Sequence, residues 1–211
     1  MLALGTAVFA SLFSVVNPFG AVPVFLAMTP DHTRSERKTT AKYTSFYFAL
    51  ILISFFLAGT YILSFFGISL DAMRIAGGLV ILASGFTLLS GKIAEGRAVG
   101  KKVQEEAIQK EDISFAPMAM PMLAGPGSIS LLIGLGSEHT MMNDKVLIIG
   151  VILFTAAAVY GILRVAPMLQ KVLGQAGINA ISRIMGFLVM AIGIQLIIVG
   201  IVSLVSQVLN V

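Results

Sequence analysis

YTSFYFALILISFFLAGTYILSFF, residues 43–66, runs for 24 positions without an Asp, Glu, Lys or Arg. About 20 apolar residues are enough for a helix to cross the hydrocarbon core of a bilayer. The rest of the chain agrees with that reading. Of its 211 residues, 57% are hydrophobic and 11% are charged, against roughly 25% charged in a soluble domain. A water-soluble fold this poor in charge could not cover its surface. Outward from residues 43–66, five more apolar runs follow the same pattern, at 4–28, 73–89, 113–135, 146–169 and 180–204. The expected fold is therefore an all-α integral membrane protein with six transmembrane helices. The first run does not read as a secretory signal. It lacks a basic leading region, and its apolar character continues through Asn17-Pro18 to Met28. With no cysteine there is no disulfide, and cysteine usage says nothing of the redox compartment.

The loops orient the chain. Loop one carries Arg34, Arg37, Lys38 and Lys42. Loop three carries Lys92, Arg97, Lys101, Lys102 and Lys110. Loop five, with its helix ends, carries Arg164, Lys171 and Arg183. Loops two and four carry one basic residue each, Arg74 and Lys145. Basic residues are retained on the cytoplasmic side, so a division of twelve against two places the odd loops inside and both termini outside. The net charge of +4 thus sits where it meets anionic lipid, and it gives no reason to expect a nucleic-acid partner. The polar stretch 92–112 divides the chain near its middle. Its 102–110 part has the composition of either a solvated loop or a short surface helix.

The two halves repeat. Arg74-Ile75-Ala76-Gly77-Gly78-Leu79-Val80 is similar to Arg183-Ile184-Met185-Gly186-Phe187-Leu188-Val189, at an offset of 109 residues. The same offset carries Gly77, Ser84 and Gly91 onto Gly186, Gly193 and Gly200. Small residues spaced by seven lie along one helix stripe and let two helices approach closely in lipid. At an offset of 108, Pro18 meets Pro126. Each half then has three spans, and because three is odd the second half enters the membrane from the opposite side. The expectation is two inverted three-helix repeats, 1–91 and 113–211, joined by a cytoplasmic linker, 92–112. Inverted repeats are a common plan among secondary transporters.

The first and fourth spans each carry a proline–glycine break near the midplane, Asn17-Pro18-Phe19-Gly20 and Gly125-Pro126-Gly127-Ser128. Proline has no N–H and clashes with the carbonyl four residues back, so Pro18 releases the carbonyl of Ser14 and Pro126 that of Met122. Free backbone groups cannot face hydrocarbon and must be buried in protein or meet a polar ligand. A broken helix also aims a positive half-helix N-terminus and a negative C-terminus into the gap. Two such gaps suit a zwitterion, with N–H groups facing its carboxylate and carbonyls facing its ammonium. The candidate substrate-binding residues are Asn17, Pro18, Phe19, Gly20, Gly125, Pro126, Gly127 and Ser128. An isolated proline in a membrane helix is often only a kink, and repetition at matched positions is what favours a site here. Asn17 either orients substrate or caps a half-helix.

Other chemistry is poorly represented. No Asp, Glu or His lies in the central part of any apolar run, so a proton relay of carboxylates is not visible. Sodium held by backbone carbonyls would leave no mark on the sequence. A membrane serine protease needs a Ser–His pair, yet His32 and His139 lie in loops. Gly127-Ser128-Ile129-Ser130 lacks the glycine that a nucleophile elbow requires. No enzyme and no cofactor is expected beyond a coupling ion, Na⁺ or H⁺. Arg74 and Arg183, at the starts of spans three and six, read as helix-end anchors.

Four stretches, in order along nearly the whole chain, resemble the signatures of the MarC family. They are Val16-Asn17-Pro18-Phe19-Gly20-Ala21-Val22-Pro23-Val24-Phe25, Arg74-Ile75-Ala76-Gly77-Gly78, Ala119-Met120-Pro121-Met122-Leu123-Ala124-Gly125-Pro126-Gly127 and Ser182-Arg183-Ile184-Met185-Gly186. The resemblance implies a six-span bacterial or archaeal inner-membrane protein. It also implies kinship with transporters of small neutral amino acids such as alanine and glycine. The family's older association with multiple antibiotic resistance implies little about substrate. A secondary transporter of such zwitterions, working by alternating access, is the leading expectation. A channel, or a structural or assembly subunit without transport, is the alternative, and a channel should show a continuous polar stripe that these helices lack. The direction of transport and the oligomeric state are left open by the sequence.

Overall fold

The computed structural model describes residues 1–90 and 112–209. The 102–110 surface helix, Gly91 and nearly all of the 92–112 linker lie outside the described residues. Among the described residues the chain is helical, with no strand. Among these residues five helices are long and apolar enough to cross a membrane, and a bent pair adds a sixth candidate span.

Helix α1 (Leu2–Val16) stops at Asn17, whose backbone is left-handed at φ 43°, ψ 68°. Asparagine tolerates that conformation better than most residues because its short polar side chain bonds locally. Here the Asn17 amide oxygen accepts the Gly20 N–H at 3.3 Å, capping α2 (Pro18–Ala27). Pro18 occupies the first helical position, where its missing N–H costs nothing. Asn-Pro-Phe-Gly thus ends one helix and starts the next within a single residue. At the far end of α2, the Arg37 guanidinium donates to the carbonyls of Thr29, at 2.6 and 3.1 Å, and of Pro30, at 3.0 Å. A cation at a helix C-terminus also complements the helix dipole.

Helix α3 (Arg34–Phe65) opens with a reciprocal cap between Thr33 and Glu36. Its 32 residues span about 48 Å, more than the roughly 30 Å of a bilayer core, so its polar first turns project beyond the apolar run. Phe46, Leu50, Leu57 and Tyr61 form an exposed apolar stripe along it, the face expected of a helix dissolved in lipid. Helix α4 (Leu70–Leu89) begins at Ser69, whose hydroxyl accepts the Ala72 N–H at 3.1 Å.

The fourth apolar run departs from the expected single helix. Ser114–Leu123 winds in wide turns, with the N–H groups of Met118 and Ala124 reaching back five residues to Ile113 and Ala119. Ala116 and Met120 are extended inside it, each directly before a proline, Pro117 and Pro121. The residue before a proline is driven out of the α region by the ring, and two such pairs four residues apart prevent a regular helix. Regular helix begins at α5 (Pro126–Glu138), bent by 67° from the preceding segment. Helix α6 (Met142–Arg164) ends before residue 169, the boundary expected from hydropathy. Helix α7 (Ala166–Leu209) is interrupted at Gly174, at φ 61°, ψ 178°, a conformation essentially restricted to glycine.

Two clusters hold the bundle. The larger one joins α1, α2, α3, the 114–123 segment, α5 and α6 around Leu12, Phe25, Phe48, Met118, Leu132 and Ile152, all fully buried. The smaller one joins α4 and α7 around Ile81, Leu88 and Val189. These two helices pack antiparallel, glycine against glycine. A Cβ on Gly85 would meet the Gly186 carbonyl oxygen at 2.9 Å, and one on Gly200 would meet that of Asp71 at 3.0 Å. The stripe on α4 that faces α7 is Gly78 and Gly85, one residue on from the expected Gly77 and Ser84. Gly77 instead packs against Ser130 of α5, and Ser84 turns its hydroxyl to the Val80 carbonyl of its own helix. Spacing by seven fixes the period of a stripe but not which of two neighbouring residues leads it.

Candidate functional site: two interrupted helices

The first interruption is closed and polar inside. Asn17 is fully buried, and Pro18 and Gly20 are buried with it. Phe19 is half-buried, its ring 6.1 Å from that of Phe13. The surface of Gly20 faces two polar groups. A Cβ built there would lie 2.8 Å from the Asn17 amide nitrogen and 3.4 Å from the Ser182 hydroxyl of α7. Ser182 is itself 0% exposed. Three hydrogen-bond donors, the Gly20 N–H, the Asn17 amide and the Ser182 hydroxyl, therefore converge on one small region at the positive end of α2.

At the second interruption the chemistry differs. Gly125 stands before α5 and supplies no side-chain cap, and Pro126 takes the first helical position. Pro126 is exposed and Gly125 half-buried, whereas Gly127 and Ser128 are buried. The Ser128 hydroxyl donates to the Gly125 carbonyl at 2.9 Å, so it meets a ligand only through its oxygen lone pairs. A Cβ on Gly127 would lie 2.7 Å from Ile81 and 3.5 Å from Val15. Since Val15 is two residues before Asn17, the end of α1 and the start of α5 are neighbours, with Ile81 of α4 wedged against the junction. The fold thus brings Asn17 and Gly20 to Ser182, and Gly127 to the end of α1. It leaves Pro126 on the surface.

Cavities open elsewhere. One of about 320 Å³ is lined by His32, Glu36, Thr40, Tyr43, Asp112 and Ser114, and one of about 410 Å³ by Leu26, Arg37, Pro167, Gln170 and Lys171. A third, apolar one of about 640 Å³ lies between α1 and α6, beside Phe9 and Phe154. None of these three is lined by either interruption.

Sequence reasoning missed two groups. Ser182 sits at the start of an apolar run and reads as a boundary residue, but α7 continues past it in both directions. Its one signal was its place in Ser182-Arg183-Ile184-Met185-Gly186. The second group surrounds Arg74, which does more than anchor a helix end. Its guanidinium bonds Asp71 at 2.9 Å and Glu138 of α5 at 2.6 Å. The other oxygen of Asp71 accepts from Ser203 at 2.9 Å and Gln207 at 3.1 Å, both on α7. Asp71, 5% exposed, ties α4 to α7, and Arg74 ties α4 to α5. Arg183, its counterpart in the repeat, is exposed.

The comparisons with known proteins concern the whole of this architecture. Residues 3–205 match the family described as MarC family integral membrane protein. The UPF0056 membrane protein YhcE of Escherichia coli is 40% identical over 203 residues, covering 96% of this chain and 94% of the relative. A UPF0056 membrane protein of Methanocaldococcus jannaschii is 40% identical over 193 residues, 92% of this chain and 93% of that one. YvbG of Bacillus subtilis, also a UPF0056 membrane protein, is 31% identical over 190 residues, 90% of each chain. No solved structure matches this chain. With a family match over nearly its full length and relatives of the same size in bacteria and archaea, the chain is a multi-pass membrane protein that belongs to the MarC family.

Proposed function

We propose that this protein is a secondary transporter of small neutral amino acids, zwitterions of alanine or glycine size, working by alternating access across the inner membrane. In this reading the chain is two inverted three-helix repeats with both termini extracytoplasmic, and the first and fourth spans are broken at the site. The order of elements supports the repeat. An interrupted span, a long helix and a glycine-faced helix occur in turn, and then occur again. The antiparallel pairing of α4 with α7 is what a pseudo-twofold axis between inverted halves requires.

The observation that carries the reading is the cap of α2. The Asn17 amide oxygen rests on the Gly20 N–H at 3.3 Å, inside the bundle and away from solvent. An amide oxygen in that position occupies the place a carboxylate oxygen would take at a helix N-terminus. Exchange of one for the other leaves the backbone donor satisfied and adds charge complementarity with the helix dipole. The α5 start offers a second N-terminus with no side-chain hydrogen bond capping it. The close contacts of Gly20 with Asn17 and Ser182 limit the ligand to a short side chain. Reconstitution with labelled alanine tests the function. A transporter gives saturable, substrate-specific flux, a channel gives flux without saturation, and a structural subunit gives none.

A further inference from the structure

We propose that Ser182 is a direct substrate ligand of this site, donating its hydroxyl to the carboxylate; the inference rests on the reading just given. Buried hydroxyls in these helices commonly bond the carbonyl one turn back, as Thr29, Thr40 and Thr155 do at 2.8–3.0 Å. Ser182 does not. Its Oγ is buried and has no hydrogen-bond partner among the described residues. Leaving a buried polar group unsatisfied carries a desolvation penalty. At 0% exposure, Ser182 meets no bulk water to relieve it.

The direction of the hydroxyl gives the orphan a meaning. It faces Gly20 across the α2–α7 contact, where a Cβ on Gly20 would lie 3.4 Å from it and 2.8 Å from the Asn17 amide nitrogen, so the space holds no more than a methyl group. A ligand therefore enters only when α2 and α7 part. With the Asn17 amide oxygen exchanged for the ligand at the Gly20 N–H, the three donors then surround one position, which suits an anionic oxygen. Ser182 thus belongs to the second repeat and Asn17 to the first, so the carboxylate would join the two halves on binding.

The experiment is substrate-induced thermal stabilisation of the purified protein with L-alanine and with alaninamide, which lacks the carboxylate. It compares wild type, Ser182→Ala and the near-isosteric Ser182→Cys. The expected result is that Ser182→Ala keeps or raises the melting temperature without ligand, because an unsatisfied group is removed. L-Alanine affinity falls about ten-fold or more, as for loss of a hydrogen bond to a charged group, and the preference for alanine over alaninamide shrinks. Ser182→Cys, a poor donor of the same size, weakens alanine binding in the same direction and supplies the answer if the alanine variant does not fold. Unchanged affinity in a folded variant, or a lower melting temperature with the alaninamide comparison unmoved, makes Ser182 a packing or water-bonded residue and overturns the proposal. If wild type binds neither alanine nor glycine, the transporter reading itself fails, and Ser182 with it.

Discussion

Gly78 of α4 and Gly193 of α7 face each other backbone to backbone across the α4–α7 contact. A Cβ on Gly78 would lie 2.7 Å from the Gly193 carbonyl oxygen, and a Cβ on Gly193 would lie 2.8 Å from that of Gly78. Both obstacles are backbone, which cannot move aside as a side chain can.

The first prediction follows from that contact. Gly193→Ala should destabilise the protein by about 1–3 kcal/mol, the usual cost of overpacking. Gly150→Ala on α6 is the control, since nothing stands within 4 Å of a Cβ there. It should be neutral or slightly stabilising, because alanine is the better helix former by about 1 kcal/mol. Melting temperatures in detergent compare the two directly. Equal behaviour would mean that α4 and α7 are not in this contact.

The Asp71 cluster supplies a second prediction. Removing one partner from a buried ion pair leaves the other charge uncompensated, which costs about 3–5 kcal/mol. Asp71→Ala should therefore be destabilising toward that range, since it leaves Arg74 with only its half-exposed partner Glu138 and releases Ser203 and Gln207. The Glu138 side chain is 46% exposed, so Glu138→Gln should cost about 1 kcal/mol or less. Thermal unfolding of both variants checks the order. A Glu138 effect as large as that of Asp71 would contradict it.

Topology gives the third. The chain has no cysteine, so single introduced cysteines report accessibility cleanly. Met141 is 73% exposed in the turn between α5 and α6, and Asp31 is exposed between α2 and α3. With the basic loops inside, Met141→Cys should label from outside intact cells with an impermeant maleimide, and Asp31→Cys only after permeabilisation. The opposite pattern would invert the orientation proposed above.

What the sequence carried and what it hid have physical causes. Asn17-Pro18 was legible because a proline and a residue tolerant of positive φ act locally, through their own backbone. That α4 and α7 each pack closely on a neighbour was legible because small residues announce it; that they pack on each other, through Gly78 and Gly85 rather than Gly77 and Ser84, was not. The 114–123 segment was not, because hydropathy averages over Pro117 and Pro121 and reports only that the run is apolar. Gly174 went unread because one glycine in a polar stretch has the composition of an ordinary loop. Ser182 and Asp71 were hidden for another reason. Their roles come from partners more than a hundred residues away, and hydropathy alone gave each the look of a boundary residue.

The fourth prediction addresses the site with the least collateral damage. Asn17→Ala both removes a cap, worth about 1 kcal/mol, and forces alanine into a left-handed backbone, so instability would confuse the result. Asn17→Gly keeps the backbone free to adopt φ 43°, and glycine at a cap loses only a few tenths of a kcal/mol. It should fold with a melting temperature close to wild type and yet bind alanine several-fold more weakly. Gly127→Val should abolish binding together with a lower melting temperature, because its side chain would enter the space held by Ile81 and Val15, so Asn17→Gly is the cleaner of the two.

The most direct test of the central claim is alanine counterflow in proteoliposomes, with wild type and Asn17→Gly side by side at matched protein content. The account predicts saturable accumulation of labelled alanine by wild type, competed by glycine and not by charged amino acids. It predicts a clear loss of apparent affinity in the well-folded variant. Absence of counterflow in active, correctly oriented wild type, or flux that is unchanged in Asn17→Gly, would contradict it.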